Sequence, residues 1–452
     1  MMTRRAVRIA GILGACLAAC FSTTRAEAQT QYFPPLPVSP DNLPDNTVSW
    51  FVPYVQYQYT YDNDLFRVPT EQQYPPIKGL IPPGVSVADH INTGTVGFDG
   101  HWVVSQQSID YDFEADENGY VRNSDLNNTS GLAKALWNWS FATDLTGQIG
   151  GSYSRNLTGF VDSLFFQRDI IDRQEYFGNG RYQVGPRLAI YGGVDYTDTK
   201  NGANVNGVYV ERYNDLNYAT GKVGAEFATS RLNSLGVEYD YAHGHYPDPE
   251  PNAEIQGVLY NPDFNQDTLS LLGKYAPTEK TTVSGDVGYL VRDYPNNPSH
   301  PHVGQFSGDI WHVKGQWQPT DKTTLQVTAS RDLLAYAFAQ ADYFVQTGVS
   351  VSPIWAQTDK LTWVLVAAWY DQNYINASTG YITTVSGPVP LGPRHDTVTS
   401  EQAGLQYTPI RALVLTFTYR HEMRISTQSN NPNEAEFSYN DSIFNVGAKF
   451  KF

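Results

Sequence analysis

The last nine residues of the chain, FNVGAKFKF (444–452), alternate between apolar and polar side chains and end on a phenylalanine. Successive side chains of a β-strand point to opposite faces, so an extended nonamer of this kind has one apolar and one polar face. The apolar face carries Phe444, Val446, Ala448, Phe450 and Phe452. In a soluble protein such a face covers a core, and the chain usually continues past it. A strand that ends on its own phenylalanine indicates an apolar environment other than the core of a soluble protein.

A unit of similar design recurs along the chain, built from an aromatic residue, a short polar turn and an alternating strand. Clear copies are YAPTEKTTVSGDVGY (275–289), WQPTDKTTLQVTASR (317–331) and WAQTDKLTWVLVAAW (355–369). Weaker copies begin at residues 141, 182, 227 and 407. The starts lie roughly 40 residues apart or at a multiple of that spacing, which is enough for a strand, a long loop and a returning strand. The repeat therefore predicts a series of antiparallel hairpins.

The connections alternate between short turns and long segments rich in Asn, Asp, Pro, Gly and Tyr, at 62–92, 198–215, 246–264, 294–306, 372–395 and 425–440. Loops of this length are uncommon in compact soluble domains but typical of the extracellular side of outer-membrane barrels. Aromatic residues beside the short turns fit an interfacial girdle. We predict an all-β fold, a closed antiparallel transmembrane β-barrel of about 18 strands (16–20), in preference to a soluble β-sandwich.

The N-terminus has the design of a secretory signal peptide. Arginines at positions 4, 5 and 8 precede an apolar stretch at 9–21 and the small-residue site Ala26-Glu27-Ala28. Lipoprotein processing at Cys20 is the alternative. We predict a signal peptide at 1–28, a Pro-rich periplasmic lead-in at 29–47 and a barrel at 48–452, placed in the outer membrane of a Gram-negative bacterium after Sec-type secretion.

The net charge of the chain is −16, and both of its cysteines lie within residues 1–28. That segment holds four of the 30 Lys and Arg residues and one of the 46 Asp and Glu residues, so the mature net charge is 26 − 45 = −19. An acidic chain of this kind is a poor nucleic-acid binder. No cofactor is expected. The expected partners are outer-membrane lipid and lipopolysaccharide, and the sequence does not indicate an oligomeric state.

Charged residues on the polar faces of the strands are candidates for the pore wall, since a barrel of this size encloses a water-filled lumen. The candidates are Glu238, Asp240, Asp286, Lys314, Arg420, Glu422, Lys449 and Lys451. The terminal aromatic residues form a second candidate site. Phe444, Phe450 and Phe452 are expected to act as the assembly signal that the bacterial barrel-assembly machinery reads.

Two stretches resemble a known family. YTYDNDLFRVP (59–69) is similar to the Tyr-Asp-x-Asn-x-Phe-Arg stretch of the putative β-barrel porin type 2 family, with Asp64 slightly out of register. FSGDIWHVKGQWQPTDKTTLQVTASRDL (306–333) resembles that family's late Trp-x-Pro-Thr hairpin. The resemblance implies an outer-membrane pore that assists export of an exopolysaccharide, with periplasmic polysaccharide-export components as partners. An uptake porin for general or selected solutes is the alternative, and a structural barrel or adhesin acting through its loops is the third.

Other motifs have plainer explanations. His243 and His245, and His300 and His302, have metal-like spacing but lie in or beside long loops without a helix to fix their geometry. The acidic alternation from Asp110 to Asp116 lacks the glycine and the distal glutamate of a calcium loop and fits a strand instead. We predict neither a metal site nor enzyme activity.

Overall fold

The computed structural model describes residues 48–68, 85–161, 167–202, 214–248, 263–295, 305–335, 343–375, 394–427 and 437–452. It also gives the backbone of three pairs of short strands, 204–205 with 208–209, 254–255 with 258–259 and 381–384 with 387–390. The predicted signal peptide, the lead-in at 29–47, His300 and His302 lie outside the described residues. No helix in the described part is long and apolar enough to cross a membrane.

Eighteen long strands form one sheet. In chain order they are β1 (Trp50–Asp62), β2 (Asp89–Val104), β3 (Gln107–Tyr120), β4 (Asn128–Phe141), β5 (Leu145–Leu157), β6 (Ile170–Gln183), β7 (Leu188–Asn201), β8 (Leu216–Ala228), β9 (Ser234–His245), β10 (Phe264–Thr278), β11 (Thr281–Asp293), β12 (Phe306–Thr320), β13 (Thr323–Ala335), β14 (Tyr343–Thr358), β15 (Leu361–Ile375), β16 (His395–Ile410), β17 (Leu413–Ser426) and β18 (Tyr439–Lys451). A 3-10 turn at Ser124–Leu126 lies between β3 and β4.

The sheet closes on itself. Each strand pairs antiparallel with its neighbours in sequence, and β1 pairs with β18 from Tyr54 opposite Lys451 to Asp62 opposite Ile443. Closure leaves no free sheet edge, which a bilayer requires because lipid cannot satisfy backbone N–H and C=O groups. The prediction of a closed antiparallel barrel of about 18 strands is confirmed.

The two ends of the barrel differ in the length of their connections. Eight turns of two to five residues lie at one end, together with Trp50 and Phe452, and the nine longer connections lie at the other. Short turns are typical of the periplasmic side and long loops of the extracellular side. Three of the longer connections, at 121–127, 158–169 and 336–342, were not among the predicted long segments.

Large apolar side chains cover the outer wall and are exposed there. Tyr275, Trp317, Trp355 and Tyr407 are all exposed beside the periplasmic turns, as the girdle prediction requires. Phe444, Phe450 and Phe452 also face outwards. Apolar exposure of this extent is unfavourable in water and favourable in lipid, so the wall indicates a membrane-embedded band.

The sequence repeat corresponds to one recurring periplasmic turn. In three successive turns the backbone N–H of Lys280, Lys322 and Lys360 donates to the hydroxyl of the threonine two residues earlier. Each lysine Nζ also donates to a carbonyl near the next turn along the chain, at 3.4, 3.4 and 2.8 Å. A register shift accompanies each turn. The repeat therefore joins neighbouring hairpins as well as reversing the chain.

Candidate pore and its extracellular mouth

The inner wall carries charges of both signs because the strands alternate apolar outward and polar inward residues. All eight predicted pore-wall residues have the inward parity of their strands, and β17 and β18 are neighbours as expected. Glu422 and Asp240 are nearly buried, and the hydroxyl of Tyr439 donates to Glu422 at 2.6 Å. The other six are Glu238, Asp286, Lys314, Arg420, Lys449 and Lys451, and all of these are partly exposed. Their contact with a passing solute stays a prediction.

Near the periplasmic end, Lys449 faces an acidic part of the wall. Its Nζ lies 3.8 Å from Asp99 Oδ2 and 3.3 Å from the ring centroid of Tyr54. The Tyr54 hydroxyl in turn donates to Glu114 at 2.9 Å. Asp110, Asp112, Glu114 and Asp116 alternate along β3 as predicted, and all four face the lumen.

A histidine between two carboxylates lies half-way along the lumen. His312 Nδ1 is 2.9 Å from Asp286, and its Nε2 is 2.7 Å from Asp332. A ring whose two nitrogens both meet carboxylate oxygens carries a proton on each, so this geometry favours the imidazolium. The sequence alone did not indicate this arrangement, because the two partners of His312 come from the strands on either side of it.

At the extracellular end, the chain that leaves β1 turns into the mouth instead of running outwards. Arg67 adopts a left-handed backbone conformation, with φ at 54°. Its guanidinium binds Asp62 at 3.3 Å, two carbonyls of the same turn at 3.1 and 2.9 Å, and Asp441 of β18 at 2.9 Å. These contacts offset the cost of the left-handed conformation, which side chains rarely adopt. The described part of the family-like stretch, 59–68, is therefore the end of β1 and a tight turn that is tied to β18.

Asp64, which is close to Arg67 in the same turn, has an unusually high pKa. Asp64 is buried, and its carboxylate accepts the backbone N–H of Val68 at 3.0 Å. Burial raises the pKa of Asp64 to about 7 and outweighs that hydrogen bond and the nearby Arg67, both of which lower it. Sequence reasoning singled out Asp64 only for its register in the motif, because its burial depends on loops from elsewhere in the chain.

Three extracellular connections share a small apolar core. Leu65, Phe66 and Val68 follow β1, Leu126 lies between β3 and β4, and Phe160 follows β5; all five are buried together. The rings of Phe66 and Phe160 meet edge to face with centroids 4.7 Å apart. Loops usually lie on the surface and carry few apolar contacts, so this core fixes the described parts of the three connections as one unit.

A buried ion cluster on β15, β16 and β17 contacts one member of this unit, the segment after β5. Arg424 donates to Asp396 at 2.6 and 2.8 Å and to the Tyr374 hydroxyl at 2.9 Å, and Arg394 also donates to Asp396. Arg424 Nη1 donates further to the carbonyl of Val161 at 3.3 Å. Val161 follows β5, which is separated from β17 by five strands of the ring. The described segment 158–161 therefore reaches from β5 to β17 at the mouth.

The described residues offer no group of three or more His, Cys, Asp or Glu side chains placed to hold a metal. His243 and His245 fall at the extracellular end of β9. His243 lies 2.9 Å from Asn265 and His245 lies 3.0 Å from Asp263. The contacts of His243 and His245 are those of histidines that form hydrogen bonds at the protein surface.

Residues 276–452 match the sequence profile of the family described as Putative beta-barrel porin 2. This match confirms the family resemblance for the C-terminal part of the chain. It includes the motif at 306–333 and not the one at 59–69. No curated protein matches the chain in sequence.

Similar solved structures include the outer membrane protein opdK from Pseudomonas aeruginosa, at 13% identity over 89% of this chain and 99% of that chain, with a TM-score of 0.43. OpdL from Pseudomonas aeruginosa has 11% identity, the same coverage and a TM-score of 0.43. OccAB3 from Acinetobacter baumannii has 11% identity, the same coverage and a TM-score of 0.44.

Proposed function

We propose that the protein is an outer-membrane porin through which small polar solutes diffuse, entering at a mouth that its own loops narrow. A closed ring of this strand number encloses an aqueous lumen unless a plug fills it. An inner wall with charges of both signs suits hydrophilic solutes. In this proposal residues 1–28 direct Sec-type secretion, and the barrel-assembly machinery inserts the barrel through the aromatic end at Phe444, Phe450 and Phe452.

The hydrogen bond from Arg424 to Val161 carries the proposal. It holds the segment after β5 against β17, from which five strands of the ring separate it, and the Arg67–Asp441 pair holds the segment after β1 against β18. Both contacts hold their segments at the extracellular end of the lumen. A mouth divided in this way suits a solute of one or two sugar or amino-acid units better than a polymer chain.

Swelling of liposomes that contain the purified barrel tests the proposal. We expect permeation of mono- and disaccharides at rates that fall steeply with size, because diffusion through a narrow charged constriction discriminates by diameter. Liposomes with a barrel denatured before reconstitution serve as the control. Failure of the smallest sugar to enter, or equal rates for a disaccharide and a long oligosaccharide, would contradict the proposal.

Export of an exopolysaccharide, with periplasmic export components, stays a prediction that rests on the family resemblance. Deleting the gene and measuring polymer at the cell surface tests it separately. A loss of surface polymer without any change in solute uptake would favour export over the proposal made here.

A further inference from the structure

A polar row crosses the outer wall near its extracellular end, on a face that otherwise meets lipid. Glu401 of β16, His421 of β17 and Ser442 of β18 are directly opposite one another in the strand register. All three have the outward parity of their strands, and Glu401 is exposed. Ionisable residues at membrane depth are costly and by default indicate a functional site.

Exposed apolar side chains surround this row. Tyr419 and Phe444 lie two residues nearer the periplasm on β17 and β18, and they are 46% and 42% exposed. Ile425 lies four residues beyond His421 towards the extracellular end and is also exposed. Ser442 is only three residues from the start of β18 at Tyr439. The row therefore lies within the apolar band and close to its extracellular border.

Two members of the row form a contact of the kind that activates a serine. His421 Nδ1 lies 2.9 Å from Ser442 Oγ, and the Tyr419 hydroxyl lies 3.4 Å from the same oxygen. A serine hydroxyl is a weak nucleophile until an adjacent base takes its proton, and a separation of about 2.6–3.2 Å is typical of such a pair. The sequence did not predict an enzyme, because these two residues are 21 positions apart and meet only when β17 and β18 pair.

Glu401 is placed to orient the base from its other side. Directly opposite residues of an antiparallel pair have Cβ atoms about 5 Å apart, so the Glu401 carboxylate can accept a hydrogen bond from Nε2 of His421. With Nε2 protonated, Nδ1 carries the lone pair that faces Ser442. In the described part of the chain, no hydrogen bond or ion pair occupies the Glu401 carboxylate. Its place on a lipid-facing wall is therefore explained better by a task than by stability.

Asn63 brings an amide to the same serine. The backbone N–H of Ser442 donates to Asn63 Oδ1 at 2.5 Å, and the backbone N–H of Asn63 donates to the Ser442 carbonyl at 3.2 Å. These two bonds fix the Asn63 side chain, with its Nδ2 donor group, beside Ser442. An asparagine amide can stabilise the negative oxygen that forms when a serine attacks a carbonyl group.

We propose that Ser442, His421, Glu401 and Asn63 form a hydrolase site on the outer wall that cleaves acyl esters of membrane lipids. Ser442 is the nucleophile, His421 is the general base and Asn63 stabilises the oxyanion. Glu401 is a positioning residue that acts through His421. The substrate is a lipid ester because the site opens to the bilayer, where exposed aromatic side chains lie along the path of an acyl chain. This activity is separate from passage through the lumen.

The reaction consumes one ester and one water. Ser442 Oγ attacks the carbonyl carbon of the ester while His421 Nδ1 takes the hydroxyl proton. The bond to the alcohol oxygen then breaks, and this oxygen leaves with the proton from His421, so that the acyl group stays on Ser442. Water attacks the acyl carbon and gives a proton to His421. The bond to Ser442 Oγ breaks, this oxygen recovers the proton, and the fatty acid is released.

A fluorophosphonate probe, which phosphonylates an activated serine, tests the nucleophile in the reconstituted natural barrel. We expect labelling at Ser442, located by mass spectrometry. His421→Ala should slow it at least about hundredfold, which is the lower range for loss of a general base. The matched control is Ser307→Ala, because Ser307 lies on the outer face of β12 and accepts a hydrogen bond from the Tyr289 hydroxyl at 3.0 Å. This variant should be labelled at Ser442 like the natural chain.

Release of fatty acid from vesicles measures the reaction itself. Vesicles of phosphatidylethanolamine and vesicles that contain lipopolysaccharide distinguish the two sources of a lipid ester. We expect release from at least one of them, lost in Ser442→Ala and kept in Ser307→Ala, with heat modifiability preserved in both variants. Glu401→Gln should lower kcat at least about tenfold with KM unchanged, because the carboxylate acts in the transition state. Unchanged kcat would remove Glu401 from the site.

An unlabelled Ser442 in the natural chain, or fatty-acid release that persists in Ser442→Ala, would overturn the inference. The labelling result holds even if Ser442→Ala fails to fold, since it is measured on the natural chain. Labelling without release from either vesicle would overturn a lipid ester as the substrate. Sugar permeation tests the porin proposal separately, and Ser442→Ala should leave it unchanged. A barrel that admits sugars without hydrolysing lipid would refute the hydrolase site alone.

Discussion

Replacing Arg424 with methionine should both destabilise the barrel and loosen its mouth. The arginine side chain is 1% exposed, and it neutralises Asp396, which is fully buried. Removing one partner of a buried pair typically costs 3–5 kcal/mol because it leaves an uncompensated charge. Arg394 still binds Asp396 in the variant, so we expect the lower end, about 3 kcal/mol, or roughly a hundredfold in the unfolding equilibrium.

The matched control is Arg331→Met. Arg331 lies 3.1 Å from Asp309, but both side chains are substantially exposed, at 33% and 66%. Exposed pairs contribute at most about 1 kcal/mol. Urea unfolding in lipid vesicles, followed by the gel-mobility shift between folded and unfolded barrel, gives both free energies. The Arg424 variant should also permit faster entry of a trisaccharide, because the bond to Val161 is lost.

The reasoning fails if the two variants differ in stability by less than about 0.5 kcal/mol, which is the usual range of a neutral surface substitution. A second check uses the single variant Asp396→Asn. It removes the carboxylate from both Arg394 and Arg424, which are 2% and 1% exposed, so it should cost at least as much stability as Arg424→Met. An Asp396→Asn variant clearly more stable than Arg424→Met would place the cost elsewhere.

Three further predictions follow from other parts of the barrel. Deleting Phe452 should reduce the amount of barrel inserted in membranes while leaving the urea midpoint of the inserted fraction unchanged; normal insertion would remove its role as an assembly signal. Replacing Lys449 and Lys451 together with alanine should shift the reversal potential in a planar bilayer towards cation selectivity, because the lumen loses two positive charges, of which Lys449 lies beside Asp99; an unchanged potential would mean that they do not line a conducting path. The raised pKa of Asp64 means that the folded state binds a proton more tightly than the unfolded one, so stability should fall as pH rises from about 4 to about 7. Asp64→Asn should be less sensitive than the natural chain to a change from pH 5 to pH 8, and equal sensitivity would contradict the assignment.

The strands were predictable because their signal is local. The alternation in 444–452 and in the repeat at 275, 317 and 355 is written in consecutive residues, and lipid outside with water inside enforces it over every strand. The short turns were predictable for the same reason. The closed ring followed from the requirement that no backbone group be left unpaired in lipid.

The mouth was not predictable in the same way. The position of the Arg67 side chain depends on its ion pair with Asp441, which is more than 370 residues away in the sequence. The contact between Arg424 and Val161 depends on how far one loop reaches across the ring. Contacts between residues so far apart leave no periodic pattern in the sequence. The apolar run in β15 is visible in the sequence, because the inward-facing Val364 and Val366 depart from the polar residues expected on a face beside water.

The turn at Arg67 has a consequence for how long the barrel stays closed. Its ion pair with Asp441 joins the chain just after the first strand to the last strand, so it can form only once these two strands have met. Contacts made after the rate-limiting step slow unfolding without speeding folding. The ion pair of Arg67 therefore slows the opening of the barrel and does not guide its insertion. Its loss should shorten the lifetime of the closed ring and leave the rate of assembly unchanged.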